Sequence, residues 1–203
     1  MVKKILIMFI LIFCLTGCNS VDVDDSDMEE LLNSNKVRIT LNNQKTMDIE
    51  LYPDKAPITV ANFLKLVDEK FYEGVCFHRI IKDFMAQTGG YYLNGNQLLE
   101  KEDVPTIKGE FAANGVENDI KHVEGVISMA RAKSNDSASG QFFICTGTSP
   151  HLDGDYAAFG KVFGEESFET LRELNETKTM NIGYGFTDFP VEEVKIISII
   201  RIK

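Results

Sequence analysis

One arginine, Arg79, stands inside the apolar run Phe77-His78-Arg79-Ile80-Ile81, and the stretch continues through Phe84-Met85-Ala86-Gln87 to the glycine pair Gly89-Gly90. A permanent cation there is either an ion-pairing surface residue or an electrostatic element aimed at a substrate, and an arginine on a strand, taken alone, is the former. The usual reactive groups are not arranged around it. His78, His122 and His151 lack the i, i+4 spacing or carboxylate partners of a zinc site. Ser149-Pro150-His151-Leu152-Asp153 holds Ser, His and Asp in one segment, whereas triad members converge from separate segments, and no glycine elbow surrounds Ser149. The glycine-containing stretches carry no phosphate-loop pattern.

The elements that must position these residues can be read from periodicity. Lys36 to Leu41 and Thr46 to Leu51 alternate apolar and polar residues across Asn42-Asn43, a hairpin. After Pro57 the period changes: Val60, Phe63, Leu64, Val67 and Phe71 mark one face of an amphipathic helix. Strands are expected at 75–80, 84–88, 126–131, 141–146 and 157–163, a second helix at 166–176, and a closing strand at 191–201. Eight strands with two helices and few long crossovers favour antiparallel pairing, and closure into a barrel would remove exposed edges. The stretch from Gly89 to Gly125 is polar and without clean period, and a connection that long usually serves a surface function. Phe142 and Phe143 face opposite sides of their strand, so only one can line an outer groove.

The chain of 203 residues, with 44% hydrophobic content, 14 Phe, 6 Tyr and no Trp, suits one β-rich domain. Its formal charge of -10 argues against nucleic acid as a partner. Lys3 and Lys4, the apolar run Ile5–Leu15 and the ending Leu15-Thr16-Gly17-Cys18 form a targeting leader, too short to span a bilayer that needs about 20 apolar residues. Residues 1–17 read as a signal peptide resembling that of bacterial lipoproteins, cleaved before a lipidated Cys18; its removal makes the chain more acidic. Asn19 to Glu30 holds six acids in twelve residues, so 18–35 reads as an extended tether below a domain over 36–203. Cys76 and Cys145 lie in apolar runs and are expected as buried thiols, with a disulfide left open.

Three segments carry a resemblance: Phe77 to Gly90, "GVISMARAKSNDSASGQFFIC" from Gly125 to Cys145, and "SPHLDGDYAAFGKV" from Ser149 to Val162. Together they resemble the cyclophilin family of peptidyl-prolyl cis-trans isomerases, especially its small bacterial members, and the resemblance spans roughly Lys36 to Lys203. It implies an eight-stranded closed antiparallel barrel capped by two α-helices, with the substrate groove outside the barrel wall. Arg79 then corresponds to the catalytic arginine, held by Gln87, and Phe84, Met85, Phe143 and Leu152 to the proline pocket. Gln87 and Gln141 match positions that orient substrate, Ala130 and Arg131 the strand along which the peptide lies, and His78 belongs to the same substrate-binding set. Three positions depart from the family pattern: His151 replaces a rim Trp, Tyr156 a pocket His, and Arg131 an Asn.

The implied reaction needs no cofactor and no metal, because rotating an X-Pro bond crosses a barrier of about 18–20 kcal/mol without making or breaking a covalent bond. The implied partners are proline-containing segments of unfolded or exported proteins, the membrane through the N-terminal lipid, and cyclosporin-type ligands, weakly. The protein is expected to be a monomer on the extracytoplasmic face of a bacterial membrane. Two other classes stand beside this one: a module that holds proline segments without turnover, and a transporter's solute-binding lipoprotein, for which the chain lacks two-lobed length.

Overall fold

The computed structural model describes residues 34–102 and 104–203. The leader 1–17, Cys18 and all but the last two residues of the tether lie outside the described residues. The opening hairpin follows its alternation: β1 (Lys36–Leu41) pairs with β2 (Thr46–Leu51), Val37 opposite Ile49 and Ile39 opposite Met47, and all four are fully buried. Helix α1 (Pro57–Asp68) starts with Pro57 in its first turn, where a missing N–H costs nothing. The buried Glu110 carboxylate accepts the Ile58 and Thr59 N–H groups at 3.0 and 2.7 Å, and an anion at a helix N-terminus is also favoured by the dipole. The helix buries Val60, Phe63, Leu66 and Val67; Phe71 lies beyond its end, after Lys70 turns at φ 57°, and still packs on the core.

The remaining strands are β3 (Arg79–Ile81), β4 (Met85–Thr88), β5 (Tyr91–Asn94), β6 (Gln97–Glu100), β7 (Val126–Met129), β8 (Phe142–Cys145) and β9 (Ala158–Phe163). After helix α2 (Glu165–Asn175) come β10 (Thr179–Met180), β11 (Phe189–Pro190) and β12 (Ile196–Ile202). One antiparallel sheet runs β12-β1-β2-β9-β7-β8-β4-β3, and both helices bury their apolar faces in the core it wraps.

Closure of this sheet is the first correction. It is an open half-barrel, because β12 and β3 do not pair with each other. The physical reason lies at the two edges: β3 is three residues long and its Ile80 N–H is taken by the Asp188 carbonyl at 2.9 Å. The β12 end is met instead by residues 74–77, through bonds such as Phe77 N–H to the Val194 carbonyl, 2.8 Å. The second correction concerns Gly89 to Gly125. Its start folds as the β5–β6 hairpin across Asn94-Gly95-Asn96, with Gly95 at φ 61°, the conformation that glycine supplies in tight turns.

Strands β7 and β8 are buried on both faces. Ile127, Met129, Phe142 and Ile144 point into the main core, while Val126, Phe143 and Cys145 join Met85, Leu152 and Ala158 in a second apolar cluster on the outer face. Phe143 is thus the outward member of its pair, as the resemblance selects. Cys76 and Cys145 are free, buried thiols, each pushed up to about 12, chiefly by burial.

Candidate active site

The outer cluster is where the chemistry-bearing residues converge. A cavity of about 170 Å³ is lined by Arg79, Phe84, Met85, Gln87, Ala130, Arg131, Phe143, Leu152 and Tyr156. Arg79 reaches it because β3 and β4 form a tight hairpin that sets Arg79 opposite Gln87 and leaves Ile80 for the core. The turn holds Asp83 at φ 58°, and Asn175 at the end of α2 fixes it: Asn175 Oδ1 accepts the Asp83 N–H at 2.7 Å. Phe84 and Met85 follow directly from this turn. Among the described residues the Arg79 guanidinium makes no hydrogen bond, and its ion pair is with Asp188, Nε to Oδ2 at 3.7 Å.

Gln87 does not hold Arg79. Its amide donates to Gln141 Oε1 at 3.0 Å, and the glycine pair explains why Gln141 is there. A Cβ on Gly90 would lie 2.5 Å from the Gln141 side chain, and one on Gly89, at φ 93°, 2.4 Å from the Gly140 carbonyl. The pair therefore clears the path by which Gln141 crosses to Gln87. Gln141 itself lines a neighbouring cavity of about 340 Å³ that shares Gln87, Ala130 and Arg131 with the first.

Arg131 is held by its surroundings rather than projected into solvent. Its guanidinium carbon lies 4.8 Å from the Tyr156 ring centre and 5.1 Å from that of Phe111, and Nε donates to the Asp155 carbonyl at 3.1 Å. Tyr156 meets Phe143 edge-on, ring centres 5.8 Å apart. His151 stands at the rim, outside the cavity lining, packed on Phe84 at 5.4 Å. His78 is not in the cavity: it is buried against Tyr91, 4.7 Å between rings, with its Nδ1 lacking a hydrogen-bond partner. Burial holds it down to about 4, so it is neutral at pH 7.

Beneath the cavity lies a network that the sequence did not disclose. His122 Nδ1 is 3.0 Å from Asp153 Oδ1, its Nε2 is 3.1 Å from Ser128 Oγ, and its ring stacks on Phe143 at 6.1 Å. His122 therefore has a carboxylate partner after all, from a segment 31 residues away. Burial lowers His122 although Asp153 opposes the shift; the neutral ring donates to Asp153 and accepts the Ser128 hydroxyl. The three residues come from separate segments, as in a hydrolytic triad, but Ser128 is fully buried behind Phe143 and no substrate reaches it. The network instead ties the segment carrying Leu152 and the strand β7 to the ring that floors the cavity. Asp188, Phe111 and this network were missed because each meets its partner only through long-range packing; the Leu152-Asp153-Gly154 motif was the one signal pointing to Asp153.

Comparison with known proteins agrees with the fold. Residues 36–201 match the family model described as cyclophilin type peptidyl-prolyl cis-trans isomerase/CLD. A peptidyl-prolyl cis-trans isomerase of Acinetobacter baylyi is 38% identical over 162 residues, 77% of this chain and 80% of that protein. One of Helicobacter pylori J99 is 40% identical over 134 residues, covering 66% and 77%. A cyclophilin type peptidyl-prolyl cis-trans isomerase from Cryptosporidium parvum, crystallised in the presence of the dipeptide Ala-Pro, superposes with a TM-score of 0.65 at 27% identity, over 83% of this chain and 99% of that one. The chain belongs to the cyclophilin-type peptidyl-prolyl cis-trans isomerase family. Its fold is the mainly β cyclophilin fold with two helices.

Proposed function

We propose that this protein accelerates X-Pro rotation in exported polypeptides at the Arg79 cavity while anchored by lipid at Cys18. The observation that carries the catalytic part is a cation that makes no hydrogen bond among the described residues, set at a cavity floored by Phe143 and walled by Phe84, Met85 and Leu152. The Ala-Pro present with the Cryptosporidium relative fits such a cavity in kind: one proline ring beside one short side chain.

The chemistry follows from the amide. In the twisted state the prolyl nitrogen becomes pyramidal and regains a lone pair, an acceptor that neither planar ground state offers. A donor aimed at it stabilises the transition state alone. Arg79 supplies a planar, permanently charged fork for that purpose, and Asp188 restrains its Nε side. A charge-assisted hydrogen bond nets roughly 1.5–3 kcal/mol, about one to two decades of rate, so the arginine needs help. The apolar walls provide it by gripping the ring and dehydrating the more dipolar planar amide. Gln87, Gln141 and the Ala130–Arg131 segment orient the flanking peptide.

The export half of the proposal rests on the leader, Cys18 and the acidic tether. An isomerase placed where chains emerge acts on a folding step that otherwise takes tens of seconds or more. Exchange NMR on a short proline peptide tests the catalysis: catalytic amounts of the full-length chain should broaden the cis and trans signals, and unchanged line shapes would leave a holding module. Fractionation of Cys18→Ala tests the anchor. Acyl chains contribute about 0.8 kcal/mol per buried CH₂ and outweigh an acidic tether, so the variant should leave the membrane fraction. Retention at wild-type levels would remove the lipoprotein reading.

A further inference from the structure

A larger, mostly apolar concavity lies outside the Arg79 cavity. A groove of about 710 Å³ runs between the β5–β6 hairpin and the segment 180–189, lined by Leu93, Leu98, Leu99, Met180, Ile182 and Phe186 among others. No lining residue is charged, in a chain of which 26% is charged, so the groove has no means of pairing a charged ligand. It is about four times the volume of the Arg79 cavity and has room for several side chains. Above it, Tyr184 is 100% exposed and held at φ 52° between Gly183 and Gly185, a conformation unfavourable for a residue with a Cβ. Met180 is 48% exposed. Apolar groups displayed together in this way mark interaction sites.

The groove neighbours the active site through shared elements. Phe186, in its wall, packs on Tyr91 at 5.2 Å and on His78 at 6.2 Å, the residue before Arg79. Asp188, two residues on, pairs with Arg79, and its carbonyl holds β3. On the other side, Glu100 of the same hairpin lines the Gln87–Gln141 cavity. Among the described residues β6 pairs with β5 alone, which leaves its other edge open to an extended chain.

We infer that this groove binds an apolar stretch of the same unfolded polypeptide whose prolyl bond enters the Arg79 cavity, making a second, sequence-tolerant client subsite. The inference rests on the isomerase reading above. A second copy of the chain is the poorer occupant, because two molecules each carrying a formal charge of -10 repel on approach.

The test compares two substrates and two full-length proteins, wild type and the double variant Leu98→Gln/Met180→Gln. A short X-Pro peptide fills only the Arg79 cavity; an unfolded protein whose refolding is limited by proline isomerisation fills both sites. The expected result is peptide turnover within about two-fold of wild type and kcat/KM on the unfolded protein lowered at least about five-fold. Equal turnover of both substrates by the two proteins, or the same loss on both, would overturn the inference. A fluorescently labelled, apolar, proline-free peptide supplies an arm independent of turnover: it should bind wild type and bind the double variant at least about five-fold more weakly. Equal binding by both, a concentration-dependent dimer abolished by the double variant, or peptide binding that emerges only after residues 1–33 are removed would each overturn it. Absence of any peptide turnover by wild type, with the labelled peptide still bound through Leu98 and Met180, would sink the isomerase reading while leaving the groove an apolar-segment site.

Discussion

The Arg79 cavity and the groove along the β5–β6 hairpin are built in opposite ways. The small one is floored by Phe143, which is stacked on His122, edged by Tyr156 and carried on a strand buried on both faces. The large one is walled by a two-stranded hairpin and the segment 180–189, whose Tyr184 stands in solvent and whose Met180 is half-exposed. Chemistry that needs a donor placed to a fraction of an ångström sits on the packed side, and contact with varied unfolded chains falls to the adaptable side. Asp188 links the two: it pairs with Arg79 and lies two residues from Phe186 of the groove wall.

The sharpest way to separate core from cavity floor is the adjacent pair Phe142 and Phe143. Phe142 packs edge-on against Phe63 and Tyr72 inside the main core, so Phe142→Ala should cost about 3–5 kcal/mol of stability while folded molecules keep their turnover. Phe143→Ala should show the reverse emphasis, with kcat/KM down at least about ten-fold, or about 1.4 kcal/mol, and a smaller fall in the denaturation midpoint. Matching losses of stability and turnover in both variants would erase the distinction.

Acid should weaken the fold through the histidines that lie under each concavity. The unfolded chain takes up a proton on His78 near its ordinary value of about 6.5, whereas the folded chain resists until about 4. Stability therefore falls as pH drops through that window, by on the order of 3 kcal/mol for His78, and this contribution levels off below it. His122, also lowered by burial, adds in the same direction. Melting temperatures taken across the window should slope for wild type and flatten for His78→Phe; parallel slopes would mean that His78 is not the group responsible.

The smallest effect belongs to the rim. His151 packs on Phe84 but does not line the cavity, so His151→Trp should leave turnover nearly unchanged. An indole would add apolar face and an N–H donor, so wild type should be inhibited only weakly by a cyclosporin-type ligand and the substitution should strengthen that inhibition. Full-strength inhibition of wild type, unaltered by the substitution, would refute this account of the rim.

What could be read in advance follows the same division. The β1–β2 alternation is a local pattern and placed its hairpin, whereas the cavity residues came from the resemblance carried by segments such as Phe84-Met85-x-Gln87 and Gln141-Phe142-Phe143, with His78, His151 and Gln141 falling outside the lining. The hairpin was hidden because Tyr91 to Glu100 mixes apolar and polar residues on both of its faces, although Asn94-Gly95 was a turn signal. The bonds from Gln87 to Gln141, from His122 to Asp153 and from Arg79 to Asp188 join residues far apart in the chain, where no periodicity reports contact. Sheet closure failed for a similar reason: nothing in Arg79 to Ile81 announces that Asp188, rather than β12, takes its edge.

The central claim is that the Arg79 guanidinium, not the cavity alone, lowers the barrier. Exchange NMR on one proline peptide with full-length wild type, Arg79→Ala and Arg79→Lys measures this directly, with thermal melts confirming that each variant is folded. The side chain is half-exposed, so the fold should survive; Arg79→Ala should slow exchange by at least about ten-fold, and Arg79→Lys should also be impaired because an ammonium cannot reproduce the fork. Wild-type exchange rates in both variants would remove Arg79 from the mechanism.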